Sequence, residues 1–550
     1  MRVEVGTTTA RVVEATPEER GWLRSYLTFD DPQARFANTN RYIELVNAID
    51  DTFPAGFAGK VRAAGMKASP AVEVALVDVR SAPGPLADVD TNWLRPYQRE
   101  SLEACLKRTR GIVQMPTGGG KTEVMAALVA RVPTPWLILV PQADLLEQTA
   151  ARIEARTGER PGIVGDGAWN PARVTVATFQ TLHRRLTKGT REGRAQAEGL
   201  IRGARGLVVD ECHTVAAGSL NLVTGRATNA YWRIGFSATP LDRSDRRSIF
   251  VVAQLGGIIH QTTSAQLRAL GMLAEAQITM VRVEQGSRAP TWQGVYGECV
   301  VRSKARNAAV AQMAAAATKP ALVFVSQVGH GQKLMPLLAK TGIRAELVWG
   351  EDSTDERRAA LARLTAGTID VVVCSSVFQQ AVDIPSLRSV VNAAGGASIV
   401  QTLQRIGRGT RVTKDKTEFE VWDVLDAGHR WLERHGRERQ DVYEREGYKV
   451  VVADAAPGAD SVVETGRDEH GFVYGSAAAD AHRAALRKAA LNELAGVDRL
   501  RNPRRGRVLR PHRVAGYACT ECGAPSDALP PECSGARDAE GPPAQKALNL

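Results

Sequence analysis

Short apolar runs alternate with longer amphipathic stretches from about residue 94 to residue 424, and this alternation constrains the fold more than any other feature. A continuous apolar run that is separated from the next by a helical pattern is typical of a strand buried in a parallel sheet. The runs lie at residues 112–114, 136–140, 174–177, 207–209, 321–325, 369–373 and 389–392. They predict α/β layers with helices on both faces of each sheet. The series divides near residues 255–266 into two units of comparable size.

The rest of the 550-residue chain predicts two flanking segments. Residues 1–90 carry aromatic positions and then a Pro- and Gly-containing stretch at 81–85, which indicates a small N-terminal α+β accessory domain followed by a linker. The α/β units are expected at 91–260 and 261–450. Residues 451–550 are expected to form a C-terminal extension whose last residues are disordered.

The composition favours a polyanionic partner. The chain has 71 Lys and Arg against 60 Asp and Glu, a net charge of +11, and ten of the basic residues lie between residues 483 and 513. No apolar run approaches the roughly 20 residues that a membrane-spanning helix needs. Residues 1–9 lack a secretory pattern, and the seven cysteines are dispersed, so we expect a protein of the reducing cytoplasm.

A glycine-rich segment, Met115-Pro-Thr-Gly-Gly-Gly-Lys-Thr122, follows one apolar run and precedes a helical pattern. Glycines allow backbone N–H groups to surround phosphates, and a helix N-terminus adds positive potential, so Thr117, Gly118, Gly119 and Gly120 are predicted phosphate-binding residues. Lys121 supplies a charge for the β- and γ-phosphates of ATP, and Thr122 supplies a hydroxyl for Mg²⁺. The alternative is a glycine-rich turn with a surface lysine.

The segment Leu207-Val-Val-Asp-Glu-Cys-His213 places two carboxylates at the end of another apolar run. Ligands of open α/β sheets bind at the carboxyl ends of strands. Asp210 is therefore a predicted Mg²⁺ ligand, and Glu211 is a predicted general base that polarises the attacking water. Alone, such a pair is often a solvated turn, but paired with the glycine-rich segment it indicates an ATP-hydrolysing site.

Together these two segments resemble superfamily 2 helicases of the DExH type, with residues 210–213 as the signature box. The resemblance implies two tandem RecA-like parallel-sheet domains that close on ATP. Further segments match motifs of the family in the family's order: Leu94-Arg-Pro-Tyr-Gln98 (adenine recognition by Gln98), Val140-Pro-Gln142 and Ala177-Thr-Phe-Gln180 (backbone tracking, with hydroxyls such as Thr178), Ser237-Ala-Thr-Pro240 (coupling of hydrolysis to domain movement), Val323-Phe-Val-Ser326, and residues 374–385.

The segment Gln404-Arg-Ile-Gly-Arg-Gly-Thr-Arg411 matches the last motif of the family. The resemblance implies that Gln404, Arg408 and Arg411 face the ATP of the first domain. Arg408 and Arg411 are the candidates for the arginine that neutralises transition-state charge, and Arg411 is favoured. Asp383 is implied as a contact of the nucleotide ribose. Here Ala381 replaces the usual Gly of that motif, so a contact there is expected to change modestly. The alternative for residues 404–411 is a basic surface loop.

The C-terminal extension contains Cys519-Thr-Glu-Cys522, preceded by His512 and followed by Cys533. Zinc takes four tetrahedral ligands, which these residues offer, although a second CxxC or CxxH is missing. The alternative is a set of unpaired thiols on a flexible tail. With zinc bound, the basic stretch at 499–513 becomes a nucleic-acid clamp.

The motif variants resemble those of restriction-enzyme motor subunits and bacteriophage branch-migrating helicases more than DEAD-box RNA helicases. The resemblance implies an ATP-dependent DNA helicase or translocase of replication, recombination or repair. From the resemblance we expect such an enzyme to act on single-stranded or branched DNA, and to do so in the host cytoplasm if it is phage-encoded. RNA helicase, duplex translocase without strand separation, and inactive scaffold are the alternatives. Residues 50–57 resemble the leading segment of phage DExH helicases, which implies a duplex- or junction-contacting module; the alternative is a cap packed on the first domain.

Overall fold

The computed structural model describes residues 1–31, 41–82, 84–216, 218–241, 247–375, 384, 386–398, 416, 418–454, 514–515 and 518–519. The chain divides into two compact units, Met1–Glu464 and Thr465–Leu550. In the second unit the described residues form two short antiparallel strands, Val514–Ala515 and Ala518–Cys519. No helix within the described residues is both long and apolar enough to span a membrane.

The N-terminal segment folds as a small α+β domain. Its elements are β1 (Arg2–Val5), β2 (Thr9–Glu14), α1 (Pro17–Tyr26), β3 (Thr28–Asp30), β4 (Tyr42–Glu44), β5 (Thr52–Pro54), a 3₁₀ turn (Ala55–Phe57), α2 (Ala58–Gly65) and β6 (Ala75–Asp78). The sheet order is β5-β2-β1-β6, with β1 antiparallel to β2 and parallel to β6. Thr16 and Glu19 form a capping box that begins α1, and Phe53 and Phe57 are buried in the core.

This N-terminal domain is packed tightly on the first α/β domain. Gly56 lies against the backbone of residues 252–256, where a Cβ would come within 1.9 Å of the Val252 carbonyl oxygen, so no larger residue fits. Arg80 donates to the Tyr231 carbonyl oxygen at 2.7 Å and lies 4.3 Å from the Tyr231 ring centroid. Arg110 donates to the Thr7 carbonyl oxygen. Burial and the neighbouring Arg233 lower the pKa of Arg110.

The first α/β domain is built on an eight-stranded sheet. Its strands are β7 (Arg110–Gln114), β8 (Trp136–Val140), β9 (Gly162–Gly165), β10 (Ala168–Asn170), β11 (Val174–Thr178), β12 (Gly206–Asp210), β13 (Trp232–Ser237) and β14 (Ile258–Gln261). The order is β10-β9-β11-β8-β12-β13-β7-β14, and every pair is parallel except β9 with β10. Its helices are α3 (Pro96–Arg108), α4 (Lys121–Arg131), α5 (Asp144–Thr157), α6 (Phe179–Lys188), α7 (Arg191–Gly203), α8 (Gly218–Arg226), α9 (Ser248–Leu255) and α10 (Ser264–Ala269).

The second α/β domain is built on a seven-stranded parallel sheet. Its strands are β15 (Glu275–Glu284), β16 (Ala321–Phe324), β17 (Ala345–Val348), β18 (Val371–Cys374), β19 (Ser389–Asn392), β20 (Glu418–Ala427) and β21 (Lys449–Asp454), in the order β17-β18-β16-β19-β20-β15-β21. Its helices are α11 (Trp292–Val295), α12 (Lys304–Ala316), α13 (Val328–Lys340), α14 (Thr354–Thr365) and α15 (Arg430–Arg445), with a π-helical turn at Tyr296–Val301. Each of the two large sheets has a separate apolar cluster on each face.

The predicted fold class, two tandem RecA-like parallel-sheet domains with an N-terminal α+β domain, is confirmed, and every predicted apolar run lies on or overlaps a strand. The prediction missed β13, whose buried residues include Arg233. It also missed the shorter or less buried strands β9, β10, β14, β17 and β21, and it missed β15 and β20, in which buried residues alternate with more exposed ones. The last strand of the second sheet, β21, crosses residue 450 and pairs with β15, so this sheet extends to residue 454.

Candidate active site

The glycine-rich loop connects the end of β7 to the start of α4. Gly118 and Gly120 have φ of 82° and 84°, a left-handed region that favours glycine. A Cβ on Gly119 would lie 2.6 Å from Met115 Cγ. The loop therefore requires its glycines for conformation and for space. The Met115 side chain, which departs from the strict motif, is buried beneath the loop.

Gln98 fixes this loop from α3. Its side chain is buried, and Nε2 donates to the Gly119 carbonyl oxygen at 2.9 Å while Oε1 accepts from the Arg95 backbone N–H at 2.9 Å. Tyr97 Oη donates to the same Gly119 carbonyl at 3.0 Å. A Cβ on Gly120 would lie 2.2 Å from Gln98 Nε2. The segment predicted to recognise adenine is thus in direct contact with the predicted phosphate loop.

Lys121 and Glu211 form an ion pair across the site. Lys121 Nζ lies 2.8 Å from Glu211 Oε1, and the two side chains are 12% and 14% exposed. Burial acts to lower the pKa of Lys121, but the carboxylates of Glu211 and Asp210 outweigh it and raise that pKa. Burial acts to raise the pKa of Glu211, but Lys121 and His213 outweigh it and hold that pKa well below its usual range. Both side chains are therefore charged at neutral pH.

Asp210 lies at the end of β12. In the sheet, β13 lies between β12 and β7, the strand that leads into the glycine-rich loop. Burial raises the pKa of Asp210 to about 6 in spite of the nearby Lys121. The next residue, Glu211, has a φ of 46°, which is uncommon for a non-glycine residue. This backbone conformation turns the chain after the strand, and Asp210 Oδ1 accepts from the Glu211 N–H at 3.0 Å. Strained backbone of this kind concentrates at functional sites.

A polar chain connects Glu211 to the end of β13. His213 Nδ1 lies 3.0 Å from Ser237 Oγ and 3.4 Å from Glu211 Oε2. Ser237 Oγ also lies 3.5 Å from Glu211 Oε2 and accepts from the Thr239 N–H at 3.1 Å. The DExH box and the Ser237-Ala-Thr-Pro240 segment are therefore one connected hydrogen-bonding network.

The oxygen donors at this site fit a Mg²⁺ ion that also binds phosphates. Thr122 follows Lys121 at the start of α4, and Asp210 precedes Glu211 at the end of β12, so both are next to the residues of the ion pair. Mg²⁺ in phosphate sites uses one or two protein oxygens and completes its shell with substrate and water. A dedicated cluster is not needed, and the described part of the chain contains no group of three or more His, Cys, Asp or Glu suited to a metal.

The sequence did not reveal a cleft beside the phosphate loop to which the second domain contributes. Gln114 and Thr117 line it together with Thr262, Glu446 and Tyr448. Burial raises the pKa of Tyr448 to about 12. No motif marks these last residues, because only the fold brings the turn before β21 to the end of β7.

The cleft adjoins a contact between the two α/β domains. Arg268 Nη2 donates to the Glu446 carbonyl oxygen at 2.6 Å, and Ser264 Oγ donates to Glu446 Oε2 at 2.8 Å. The Arg268 guanidinium lies 4.3 Å from the Tyr448 ring centroid. A second contact joins Arg357 of α14 to Asp144 of α5, with 3.3 Å between Nη2 and Oδ2.

One expectation for the nucleic-acid motifs is wrong and others lie outside the described residues. Thr178 is only 5% exposed, and its hydroxyl is 2.9 Å from Thr181 Oγ1, so it is buried in the domain and does not present a hydroxyl to a strand of nucleic acid. Gln180 Nε2 donates to the Pro141 carbonyl oxygen at 2.7 Å and so joins the two backbone-tracking motifs. The predicted residues outside the described part are Asp383, Gln404, Arg408, Arg411, His512, Cys522 and Cys533. Cys519 is described only as part of a short strand.

Two family comparisons match successive parts of the chain. Residues 92–242 match "Type III restriction enzyme, res subunit", and residues 305–413 match "Helicase conserved C-terminal domain". The first match contains the phosphate loop, the DExH box and the Ser237 segment. The second contains residues 404–411. These matches confirm the predicted resemblance to superfamily 2 helicases and restriction-enzyme motors.

Curated relatives cover most of the same region. The chain is similar to the DNA 3'-5' translocase XPB2 of Sulfurisphaera tokodaii, with 26% identity over 63% of this chain and 84% of that protein. It is also similar to the ATP-dependent DNA helicase uvsW of Enterobacteria phage T4, with 25% identity over 66% of this chain and 77% of that protein.

Solved structures with weaker likeness include T4 UvsW and a fragment of a type I restriction-enzyme HsdR subunit from Vibrio vulnificus. The UvsW structure is 21% identical, with a TM-score of 0.38, and covers 82% of this chain and 99% of that chain. The HsdR fragment is 20% identical, with a TM-score of 0.49, and covers 67% of this chain and 71% of that chain.

Proposed function

We propose that this chain, which resembles superfamily 2 helicases of the DExH type through both matched regions, is an ATP-dependent DNA helicase or translocase. The observation that carries the proposal is the ion pair between Lys121 and Glu211 at 2.8 Å. It joins the start of α4 to the end of β12, the two places where a phosphate-binding cation and a general base are required in an ATPase.

Each residue of the site has a proposed task. Lys121 binds the β- and γ-phosphates, and the glycines of residues 118–120 present backbone N–H groups to them. Thr122 and Asp210 hold Mg²⁺, which supplies positive charge between the phosphates when bound. Glu211 orients and deprotonates the attacking water once Lys121 has turned to the phosphate, because its carboxylate is ionised and lies beside that lysine.

The second domain is proposed to complete the site. Arg408 and Arg411 neutralise charge that develops on the γ-phosphate, Gln404 orients the same region, and Asp383 contacts the ribose, as the resemblance implies. The network of Glu211, His213 and Ser237 supports this proposal, because it offers a direct route from the general base to the segment that the family uses for coupling.

Gln98 is proposed to recognise adenine. Its amide already holds Gly119, so replacing Gln98 is expected to disturb the phosphate loop as well as the base contact. Loss of affinity for ATP and loss of turnover should therefore occur together in such a variant.

DNA is the proposed partner because relatives named as DNA translocases and DNA helicases match the chain over most of their length. Such a motor binds phosphates without reading bases, so its affinity depends on salt and tolerates any sequence. We further propose that the N-terminal domain and the basic C-terminal extension contact DNA, and that Zn²⁺ bound by His512, Cys519, Cys522 and Cys533 orders that extension. An RNA helicase, or a duplex translocase that does not separate strands, is the alternative.

The test is ATP turnover and strand separation with single-stranded DNA, duplex, fork, Holliday junction and RNA. We expect DNA to stimulate turnover more than RNA. Lys121→Ala should reduce stimulated turnover by about 10²–10³-fold or more while DNA binding persists. Lys107→Ala, an exposed lysine of the same domain, is the control. Unchanged turnover in Lys121→Ala would remove the assignment.

A further inference from the structure

The turn between α6 and α7 forms a basic surface that none of the motifs includes. We call residues 183–194 the α6–α7 corner. A pocket of about 370 Å³ opens there. It is lined by Arg184, Arg185, Lys188, Gly189, Thr190 and Gly193. The lining residues of α6, Arg184 to Lys188, lie about 6–12 Å along the helix from Gln180, the last residue of the motif at its start.

Within the described part of the chain, no ion pair neutralises the exposed cations of the corner. Within it are five basic residues, Arg184, Arg185, Lys188, Arg191 and Arg194, against the single acidic residue Glu192. Four of these, all but Arg185, are exposed, and they form no ion pair with any residue that the structure describes. Arg184 and Lys188 are four residues apart on α6 and so lie on one face of the helix, where like charges repel. A bound polyanion relieves that repulsion.

Arg185 is held in place as part of the pocket wall. Its guanidinium lies 3.8 Å from the ring centroid of Trp169, on the edge strand β10, and Nη1 donates to Gln196 Oε1 at 2.9 Å. The Trp169 ring is therefore already covered by Arg185, a cation–π contact. Consequently the corner offers cations but no free aromatic face, which favours contact with phosphates over stacking with bases.

Two glycines line the pocket. A Cβ on Gly189 would lie 2.4 Å from the Arg185 carbonyl oxygen, so the turn closes tightly only with glycine there. A Cβ on Gly193 would lie 3.8 Å from Arg185 Nη1, so any longer side chain at this position would extend over that cation. Thr190 caps α7 by accepting from the Gly193 N–H at 3.1 Å, and the helix N-terminus adds positive potential to the same pocket.

We propose that the α6–α7 corner binds the phosphodiester backbone of nucleic acid, at a place separate from the backbone-tracking motifs. This inference rests on the proposed function. Phosphate contacts outside those motifs would increase affinity on any sequence and would hold the chain on its track while the motif contacts change during the ATP cycle.

The test is the salt dependence of binding to a fluorescent duplex and to single-stranded DNA. The variant is Arg184→Gln with Lys188→Gln, and the control is Lys107→Gln with Arg108→Gln, an exposed Lys and Arg at the end of α3. Each lost phosphate contact should reduce the slope of log K against log salt by about 0.9 on duplex and about 0.7 on single strands. We therefore expect the slope of the variant to be smaller than that of the wild type by the amount that one or two lost phosphate contacts produce. The slope of the control should equal that of the wild type.

The outcomes separate the corner from the motor. ATP turnover without DNA should be unchanged in the variant, because neither residue belongs to the ATP site. If the wild type shows DNA-stimulated turnover but variant and control have equal slopes, the corner inference alone is wrong. If the wild type binds neither DNA nor RNA, both proposals fail. A titration with inorganic phosphate at constant ionic strength tests for a small-anion site instead. If millimolar phosphate protects the arginines of the corner from chemical modification but DNA does not, the corner binds small anions and the inference is wrong.

Discussion

Both α/β domains bury ion pairs, but they do so in different ways. In the first domain, Lys121 and Glu211 lie at the carboxyl ends of the strands, with 12% and 14% of their side chains exposed. In the second domain, Arg306 with Asp426 and Arg439 with Asp423 lie inside the domain, and each of these side chains is at most 3% exposed. Similar residue types therefore serve an open site in one domain and a closed interior in the other.

The closed pairs of the second domain are surrounded by further hydrogen bonds. Asp423 accepts from Arg439 Nε at 2.8 Å, from Tyr443 Oη at 2.6 Å and from Asn392 Nδ2 at 3.0 Å. Arg439 also donates to the Gly396 carbonyl oxygen at 2.6 Å, and Arg306 donates to the Ala393 carbonyl oxygen at 2.7 Å. These bonds fix the segment that follows β19. A buried charge is tolerated when its partners are satisfied in this way.

The open site of the first domain contrasts with this on two counts. Two carboxylates share one lysine, and Glu211 has an unusual backbone φ of 46°. Charged groups that share a partner, or that sit on a strained backbone, can exchange that partner for a substrate. Charged groups whose partners are all satisfied within the domain stabilise the fold instead. A buried ion pair is therefore a stronger sign of chemistry when its geometry leaves a charged group without its full set of partners.

The largest expected effect separates activity from stability. Glu211→Gln should reduce ATP turnover by about 10²–10⁴-fold, because it removes the proposed general base. The free energy of unfolding should change by no more than about 1 kcal/mol, because the Lys121–Glu211 pair is partly open to solvent and the Asp210 carboxylate stays near Lys121. Turnover assays and urea unfolding measure the two quantities, with the exposed Glu103→Gln as control. A large loss of stability with normal turnover would reverse the comparison.

The second prediction concerns the closed interior. Arg439→Met should lower the free energy of unfolding by about 3–5 kcal/mol, because Asp423 would keep a buried charge without its cation. Arg437→Met, an exposed position on the same helix, should have little effect. Thermal unfolding followed by tryptophan fluorescence measures the change. If Arg439→Met folds normally but loses turnover, the network serves the chemistry and not the fold.

A smaller effect is expected from Ser237→Ala. This change removes the hydroxyl that contacts His213 and Glu211 and accepts from the Thr239 N–H. We expect the loss of these hydrogen bonds to raise the activation free energy by about 1.4 kcal/mol, which corresponds to a roughly tenfold reduction in turnover. The control is Ser389→Ala, another buried serine, whose hydroxyl donates to the Thr318 carbonyl oxygen at 2.7 Å in the second domain. Equal reductions in both variants would show that Ser237 has no particular role in the site.

The smallest effect appears only in acid. Burial, with a contribution from Arg306, lowers the pKa of His330 to about 3, and its Nε2 lies 2.9 Å from Asn307 Oδ1. Between about pH 6.5 and pH 3, His330 therefore stays neutral in the folded protein but takes up a proton in the unfolded chain. Stability is fully present above pH 6.5 and is lost as pH falls from about 6.5 towards 3.

The variant that tests this titration is His330→Gln, which retains a side-chain N–H and cannot titrate. Near pH 5, the dependence of unfolding free energy on pH should decrease by up to about 1.4 kcal/mol per pH unit. Urea unfolding at several pH values measures the slope. Equal slopes in the variant and the wild type would show that the second domain does not owe its acid sensitivity to this side chain.

The predictable part of this protein is the part in which neighbouring residues carry the information. The loop at 115–122 and the box at 210–213 were predictable because strand, turn glycines and helix follow one another in the chain, and the structure places Lys121 beside Glu211 as that order requires. The buried parallel strands were predictable wherever the apolar run is continuous. Strand β13 was not, because the buried Arg233 donates hydrogen bonds to the carbonyl oxygens of Thr224, Ala227 and Gln254, which only the fold brings together.

Local residue types alone predict the two α/β domains and the turn conformation of the glycine-rich loop at 115–122, because turn conformation and strand burial depend on them. The tertiary structure sets the remaining features. It docked the N-terminal domain on Val252 through Gly56, tied Gln98 to Gly119, buried Thr178, and brought Tyr448 beside Thr117. These contacts join residues far apart in the chain, and their free energy depends on shape and burial that no local pattern of residues contains.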